Sequence, residues 1–258
     1  MKTLRLYGAG LLVALLALAA CGTSGGGSGG EAGTTWTSRT DLNGVTYGNG
    51  TFVAVGDGTI LTSPDGATWT QRTSGTSNSL YDVTYGNGTF VAVGIFGTIL
   101  TSRDGATWTR RISGTRNRLN GVAYGNGLFV AVGSGGTILT SPDGVNCTKQ
   151  ISPTSDWLHG AAYGNGTFVA VGDKGTILTS PDGVSWTKRT SGSNSLYDVT
   201  YGNGLFVAVG WEGTILTSPN GVNWTARISG TSRWLISVTY GNGLFVVVGE
   251  DGTILTSP

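Results

Sequence analysis

The tetrapeptide Tyr-Gly-Asn-Gly recurs six times along the chain, and this repetition constrains the fold more than any other feature. Its tyrosines are Tyr47, Tyr85, Tyr124, Tyr163, Tyr201 and Tyr240. Successive copies are 38 or 39 residues apart, and closely similar flanking sequence accompanies each of them. Self-similarity at a fixed period of this size indicates one supersecondary unit per copy, stacked against its neighbours.

Each copy contains four short extended segments separated by turn signals. In the second copy three of these segments are residues 80–85, 89–94 and 97–102, and residues 69–73 represent the fourth type. Asn87-Gly88 predicts a two-residue type I′ hairpin, because both central residues of that turn need positive φ. Glycines flank the second turn, and a Ser-Pro-Asp-Gly type of sequence marks the third. We therefore predict four antiparallel strands per repeat.

Six repeats of four strands predict an all-β, six-bladed β-propeller over residues 31–258. A solenoid is the structural alternative, but solenoid units rarely carry four tight hairpins and their ends need caps. The last copy stops at residues 253–258 without its fourth segment, and residues 31–39 resemble that segment. We expect this N-terminal strand to complete the sixth blade and close the ring, which removes two open sheet edges. A truncated larger ring is the alternative.

The first twenty residues differ from the rest and are typical of a signal peptide. Lys2 and Arg5 precede an apolar run over residues 11–20, which is too short to span a bilayer. The run leads into Leu-Ala-Ala-Cys21, which resembles the lipobox of bacterial lipoproteins. That resemblance implies cleavage before Cys21 and a diacylglyceryl group on its thiol. The protein is then expected on a membrane surface of the bacterial cell envelope, held by its lipid.

Residues 22–30 are glycine and serine throughout except for Thr23, and they predict a flexible tether. The chain thus divides into a signal peptide over residues 1–20, lipidated cysteine and tether over 21–30, and propeller. Gly22 is not the aspartate that usually retains Gram-negative lipoproteins in the inner membrane, so an outer-membrane address is favoured in such a host. An ordinary secretory peptide with an incidental cysteine is the alternative.

The charge balance argues against nucleic acid as a partner. The chain has 15 basic and 14 acidic side chains, and removal of Lys2 and Arg5 leaves 13 against 14, a formal charge of −1. No basic field is left to attract a polyanion. Once Cys21 is lipidated, Cys147 is the single remaining thiol, so an internal disulfide is excluded. We expect a monomer that is stabilised by packing.

The third turn and its flanks resemble a known repeat. Residues 63–69, Ser-Pro-Asp-Gly-Ala-Thr-Trp, are similar to the Asp-box of bacterial-neuraminidase (BNR) repeats, although one residue shorter between the aspartate and the tryptophan. Further copies surround Asp104, Asp143, Asp182 and Asn220. The resemblance implies a propeller and a structural aspartate that accepts backbone N–H groups. It extends to sialidases and to many non-enzymatic propellers, including by analogy a factor that helps assemble photosystem II.

The sialidase relationship would imply three arginines, a tyrosine nucleophile with a glutamate, and an aspartate acid/base. Six of the nine tyrosines, however, belong to the repeated tetrapeptide, which indicates a framework role. Five arginines likewise share one repeat position on the fourth strand: Arg39, Arg72, Arg111, Arg189 and Arg227. Glu212 with Glu250 or Asp173 is a carboxylate pair that an ordinary glycosidase could use. His159 is the single histidine, so a His-rich metal centre is excluded. We predict no catalysis, no metal and no cofactor.

Variation between the copies is concentrated in the second turns and in the links between blades. Topology places both on one face of a propeller and the constant turns on the other. Nine of these residues form the candidate ligand site: Trp157, His159, Asp173, Lys174, Trp211, Glu212, Arg233, Trp234 and Glu250. Aromatic side chains with interspersed charges on loops are typical of recognition sites.

We therefore predict a binding or scaffolding module for a protein or a glycan, since flat aromatic rings also suit sugar stacking. Three alternatives stay open. In the first alternative, the loops vary through neutral drift alone, because substitutions in loops cost little stability. In the second, the protein is a glycosidase with a divergent site. In the third, it is a structural surface protein with no dedicated ligand.

Overall fold

The computed structural model describes residues 42–189 and 192–258, and these residues form a six-bladed β-propeller. The predicted signal peptide, Cys21, the tether and the closing strand lie outside them. The strands are β1 (Leu42–Gly48), β2 (Thr51–Gly56), β3 (Ile60–Ser63) and β4 (Thr70–Arg72) in blade 1; β5 (Leu80–Gly86), β6 (Thr89–Gly94), β7 (Ile99–Ser102) and β8 (Thr109–Arg111) in blade 2; β9 (Leu119–Gly125), β10 (Leu128–Gly133), β11 (Ile138–Ser141) and β12 (Thr148–Lys149) in blade 3; β13 (Leu158–Gly164), β14 (Thr167–Gly172), β15 (Ile177–Ser180) and β16 (Thr187–Arg189) in blade 4; β17 (Leu196–Gly202), β18 (Leu205–Gly210), β19 (Ile215–Ser218) and β20 (Thr225–Arg227) in blade 5; and β21 (Leu235–Gly241), β22 (Leu244–Gly249) and β23 (Ile254–Ser257) in blade 6.

Each blade is an antiparallel sheet whose strands pair in chain order, as predicted. Blade 6 has three strands within the described residues. Five of the second turns form 3₁₀ segments, at Ile95–Gly97, Ser134–Gly136, Asp173–Gly175, Trp211–Gly213 and Glu250–Gly252. Within the described ranges no helix is long and apolar enough to cross a bilayer.

The first hairpins adopt the turn that their sequence predicts. Asn87 and Gly88 have φ of 46° and 70°, and the equivalent Asn-Gly pairs in the other blades have the same signs. Two successive residues at positive φ give the type I′ geometry, whose twist matches that of the flanking strands. The Asn-Gly dipeptide therefore fixes the register of β5 against β6, which pair from Leu80 opposite Gly94 to Gly86 opposite Thr89.

The core lies between neighbouring blades. Val53 and Val55 of blade 1 pack with Leu80, Val83 and Phe90 of blade 2, all of them buried, and the same arrangement recurs from blade to blade. The second strands of blades 2 to 5 are apolar on both faces because each of them is covered by a blade on either side, as their unalternating sequence predicted. Burial of this surface is the main favourable term in the stability of the ring.

The first strands approach one another closely through a glycine. A β-carbon on Gly86 would lie 2.0 Å from the Tyr124 ring of the next blade, so only glycine fits. Tyr124 in turn packs against Phe129, with ring centroids 4.6 Å apart. The glycine and the tyrosine of the repeated tetrapeptide therefore serve blade-to-blade packing, as well as the hairpin that the asparagine and second glycine form.

The constant turns gather on one face, as the topology predicted. In the third turn of blade 2, Asp104 accepts hydrogen bonds from the N–H groups of Ala106 and Thr107 at 2.9 and 2.8 Å, and from the Ser102 hydroxyl. These bonds lower the pKa of Asp104 to about 2, with the Thr107 N–H as the largest cause. Asn220 makes the equivalent bonds to Val222 and Asn223 with its amide oxygen. The turn thus needs a side-chain acceptor at this position but no negative charge.

Candidate binding site at the channel mouth

The innermost strand of every blade carries a β-bulge at its second residue. In β1 the pairing shifts between Leu42 and Gly44, so that Asn43 has no opposite residue on β2. A bulge redirects the side chain of the extra residue. The six bulged residues line a central cavity of about 460 Å³: they are Asn43, Tyr81, Asn120, His159, Tyr197 and Ile236. The bulge therefore places the most variable position of the first strand at the axis of the ring.

Backbone hydrogen bonds hold the rim of this cavity in the same way from blade to blade. The N–H of Trp211, at the start of a second turn, donates to the carbonyl of Ser195 in the preceding link at 2.9 Å. Glu250 and Trp234 form the same bond in the next blade, also at 2.9 Å. We call the second turns and the links together the channel-mouth face. The side chains of this face differ from blade to blade, whereas this backbone hydrogen bond is the same in blades 2 to 6.

Tryptophans and a tyrosine form a row on the channel-mouth face. The Trp234 ring packs against Tyr197, with centroids 6.0 Å apart at 41°, and against Trp211, with centroids 6.3 Å apart at 79°. Tyr197 also contacts His159 edge-on, at 5.8 Å. Trp211 is 42% exposed, whereas Trp234 is half-buried between its neighbours. Trp157 is 47% exposed and lines the same cavity.

Most charged candidates are paired. His159 Nε2 lies 2.8 Å from Asp173 Oδ1, and Arg233 lies 2.8 Å from Asp251. Lys174 lies 3.0 Å from Asp156, whose pKa is held well below its usual range by that lysine and by two threonine hydroxyls. The Glu250 carboxylate accepts from the Trp234 N–H at 3.5 Å. Glu212 is exposed and makes no salt bridge within the described ranges.

Comparison with known proteins places this architecture among solved propellers. A structure described as YCF48 bound to D1 peptide is 19% identical, with a TM-score of 0.68, over 88% of this chain and 82% of that one. YCF48 from Cyanidioschyzon merolae is 17% identical, with a TM-score of 0.54, over 84% and 94%. The computationally designed Ika8 protein is 15% identical, with a TM-score of 0.67, over 83% and 70%. These likenesses establish the fold. No protein-family model and no curated protein sequence matches the chain.

Two carboxyl groups that line the central cavity, those of Asp82 and Asp198, were not among the residues predicted from the sequence. Asp82 accepts from the N–H of Val83 in its own strand and from that of Val122 in the next blade, both at 2.8 Å. Asp198 bonds Val238 in the same way, at 3.0 Å. Burial raises the pKa of Asp82 to about 7 and that of Asp198 to about 6. The visible signal is that the third residue of the first strand is otherwise glycine or serine.

These aspartates join one blade to the next, and so do two asparagines. Asn43 Nδ2 donates to the Leu80 carbonyl and Asn120 Nδ2 to the Leu158 carbonyl, each at 2.7 Å across a blade boundary. The amide oxygens of both asparagines are buried at the channel without a hydrogen-bond partner in the described structure. Buried acceptors of this kind are normally satisfied by water or by a ligand that carries donors.

A cation–aromatic pair is a further feature that the sequence only partly revealed. Tyr81 and Arg118 are both link or bulge residues of variable identity, and the Arg118 guanidinium carbon lies 3.8 Å from the centre of the Tyr81 ring. The two residues come from successive blades, so their contact depends on the packing of blade 2 against blade 3. A position-by-position comparison of the copies identifies both as variable but cannot show that they meet.

The carboxylates proposed for the glycosidase alternative occupy separate elements. Glu212 and Glu250 belong to the second turns of successive blades, and Asp173 is bonded to His159 in blade 4.

Cys147 packs into the core between blades 2 and 3, and burial raises the pKa of its thiol. A raised pKa keeps the thiol protonated, which agrees with the prediction of a packed, unreactive side chain.

Proposed function

We propose that the channel-mouth face binds a partner protein through an extended segment of peptide. The observation that carries this proposal is that Tyr197, Trp211 and Trp234 form one contiguous aromatic row on the rim of an open cavity. Aromatic side chains that are partly exposed and held on a rigid frame are the usual anchors of binding hot spots.

The comparison with solved structures supports a protein partner over the other ligands. One propeller with the same fold is described as bound to a peptide. That protein is 19% identical to this chain, so the comparison supports the ligand class and carries no residue across. A glycan is the other ligand that the sequence favours, and the experiment below separates the two.

Catalysis forms no part of the proposal. Asp82 and Asp198 are the buried carboxyl groups of the channel, and each has both of its oxygens engaged by backbone N–H groups. An acid or base that transfers protons to a substrate needs an oxygen within reach of that substrate. The hydrogen bonds therefore favour a structural role for this pair.

We further propose that Cys21 is lipidated, that the chain is anchored to a bacterial envelope membrane, and that residues 31–39 close the ring. The support for closure comes from the register of the other blades. Ile60 pairs with Arg72, and Arg72 Nε donates to Thr62 at 2.8 Å. In the proposed closed ring, the same register on β23 would bring Arg39 beside Thr256. Ile254 is 51% exposed, whereas its equivalent Ile60 is fully buried, so this edge has room for a strand.

The binding proposal is tested with the purified protein on a random peptide library and on a glycan array. A triple variant, Trp157→Ala with Trp211→Ala and Trp234→Ala, is screened in parallel. We expect peptides that bind the parent protein and lose affinity for the variant at an unchanged melting temperature. A matched control is Trp108→Ala, because Trp108 lies in the third turn just before the outer strand β8, away from the channel mouth; its effect should be on stability.

If the protein binds glycans and not peptides, the proposed ligand class is wrong, whereas the proposed site still stands. Hydrolysis of fluorogenic glycosides by the parent protein would overturn the binding-only role. Peptides that bind the parent and the triple variant equally well would overturn the site.

A further inference from the structure

Blades 2 and 5 have identical first strands, and this identity allows one blade to interpret the other. Both strands read Leu-Tyr-Asp-Val-Thr-Tyr-Gly, in β5 and in β17. Tyr81 and Tyr197 are therefore bulged residues of equal geometry that face the same cavity. Any difference between their surroundings comes from the neighbouring blade.

In blade 2 the tyrosine ring is a platform for a cation of the protein itself. The guanidinium carbon of Arg118 lies 3.8 Å from the centre of the Tyr81 ring. Arg118 precedes the first strand of blade 3, and its carbonyl accepts from the N–H of Ser134. A separation below about 6 Å from the ring centre is the range in which cation–π attraction operates.

In blade 5 an aromatic residue replaces that cation. Trp234 occupies the position of Arg118, because its carbonyl accepts the equivalent bond from Glu250. Trp234 and Tyr197 have centroids 6.0 Å apart, and Trp211 stands nearly perpendicular to Trp234 at 6.3 Å. Three rings at these separations and angles form a corner in which one small group can contact more than one ring.

The charge around this corner is negative. Glu212 follows Trp211 in its turn, and Glu250 bonds the Trp234 backbone. After burial, the charges of Asp173 and Glu250 are the next causes that raise the pKa of the Tyr197 hydroxyl, which places both carboxylates near the ring. The nearby cations Arg233 and Lys174 are already paired with Asp251 and Asp156. Blade 2 carries Ile95 and Phe96 in the turn where blade 5 carries Trp211 and Glu212.

We propose that Tyr197, Trp211 and Trp234, flanked by Glu212 and Glu250, form a site for a guanidinium group of the bound partner. The inference rests on the proposed function, because it names the side chain of the partner peptide that this face selects. The protein supplies its own guanidinium at the equivalent point of blades 2 and 3. At the boundary between blades 5 and 6, Trp234 stands in the place of that arginine beside Tyr197, and the guanidinium comes from the ligand.

The inference is tested by titrating the ¹⁵N-labelled protein with the peptide acetyl-Gly-Arg-Gly-amide. Acetyl-Gly-citrulline-Gly-amide serves as the uncharged isostere. We expect the arginine peptide to give saturable shifts of the Trp211 and Trp234 indole N–H resonances. The citrulline peptide should bind with an affinity that is lower by about tenfold. Equal shifts with both peptides would overturn the proposal.

Trp234→Arg is the decisive variant, since Arg118 shows that this fold accepts arginine at the equivalent position. The introduced cation should cover Tyr197 and abolish the arginine-dependent shift of Trp211 while the melting temperature is retained. Glu250→Gln should weaken binding severalfold without filling the corner. Phe96→Ser, in the equivalent turn of blade 2, is the matched control and should change nothing. Undiminished binding of the arginine peptide to Trp234→Arg would overturn the proposal even if the isostere does not bind.

The peptide library separates this inference from the proposed function. Selected peptides that contain arginine and lose affinity for Trp234→Arg support both. Selected peptides that bind Trp234→Arg as well as the parent protein overturn the guanidinium site and leave the binding function standing. Arginine-dependent shifts without any selected peptide overturn peptide binding and leave the cation site standing.

Discussion

At the residue scale, aspartates of two kinds act in opposite directions on stability. Burial raises the pKa of Asp82 to about 7 and of Asp198 to about 6, so the folded protein holds protons that the unfolded chain releases above about pH 4. Hydrogen bonds lower the pKa of Asp104 and of Asp182 to about 2, so these turn residues stabilise the folded state more when they are ionised than when they are protonated.

Stability is therefore expected to be greatest at mildly acidic pH. The free energy of unfolding should fall as pH rises from about 4 to 7, because the native state binds more protons there than the unfolded state. It should also fall as pH drops from about 4 to 2, because the turn aspartates become protonated. Urea denaturation across this range measures both slopes.

Two substitutions assign the slopes to their residues. Asp82→Asn should flatten the loss of stability between about pH 4 and 7, since its amide does not titrate. Asp182→Asn should leave that slope and reduce the loss below about pH 4, and Asn220 shows that the turn accepts asparagine. A slope above pH 4 that survives in the combined variant of Asp82 and Asp198 would refute the assignment.

Cys147 marks the one described blade whose third turn lacks a tryptophan. In blade 2 the Trp108 indole N–H donates to the Gly105 carbonyl at 2.7 Å, and the ring packs 6.4 Å from Phe90. Cys147→Trp should restore both contacts in blade 3 and raise the free energy of unfolding by about 1–2 kcal/mol. Chemical denaturation measures the change, and Cys147→Ala should lower stability slightly. No gain would mean that the packing around Cys147 has adapted to the smaller side chain.

At the element scale, the second turn imposes the left-handed conformation on whichever residue occupies its centre. Phe96, Lys174, Glu212 and Asp251 all have φ between 51° and 56°. Residues other than glycine, asparagine and aspartate pay for this conformation in steric strain. The turn is therefore held by the strands on either side of it, and its side chain is free to vary with function.

Phe96 is the residue least suited to this turn, and it is 61% exposed. Phe96→Asn should raise the free energy of unfolding by about 0.5–1 kcal/mol, because asparagine tolerates positive φ and little buried surface is lost. Thermal and urea denaturation measure the gain. Phe96→Leu is the control, since leucine keeps the strain and should give no gain; equal stabilisation by both would mean that exposure of the ring, and not φ, sets the effect.

At the scale of the whole molecule, the ring is a series of equivalent interfaces. Blade-to-blade cores, the Gly86–Tyr124 type of contact and the aspartate and asparagine bonds all cross the boundaries between successive blades. Each blade thus depends on its neighbours for burial, and the boundary between blades 6 and 1 determines whether the array is continuous.

A double-mutant cycle tests closure by residues 31–39. Arg39→Ala and Thr256→Val, made singly and together, should show a coupling energy of about 0.5–1.5 kcal/mol in unfolding experiments. Arg72→Ala with Thr62→Val is the matched cycle, because that hydrogen bond is observed at 2.8 Å. Coupling in the matched cycle but none between Arg39 and Thr256 would contradict the proposed register.

The amino-acid sequence alone determined the blades. The features that specify them are local: Asn-Gly pairs that need positive φ, turn aspartates that bond the N–H groups two and three residues ahead, and unalternating apolar strands. The copies repeat these features every 38 or 39 residues. Local chemistry of this kind specifies strand number, turn type and the face on which each loop lies. The variable residues of the candidate site were identified by the same comparison of copies.

The tertiary structure decided which of those residues meet. The bulge at the second position of each first strand directs Tyr197 towards Trp234, and the packing of blade 2 against blade 3 brings Asp82 to Val122 and Arg118 to Tyr81. These contacts join residues about 40 positions apart across blade boundaries, and burial in the channel raises the pKa values of the aspartates. Such distances and environments depend on the angle between blades, which packing of the whole ring sets and no local segment encodes.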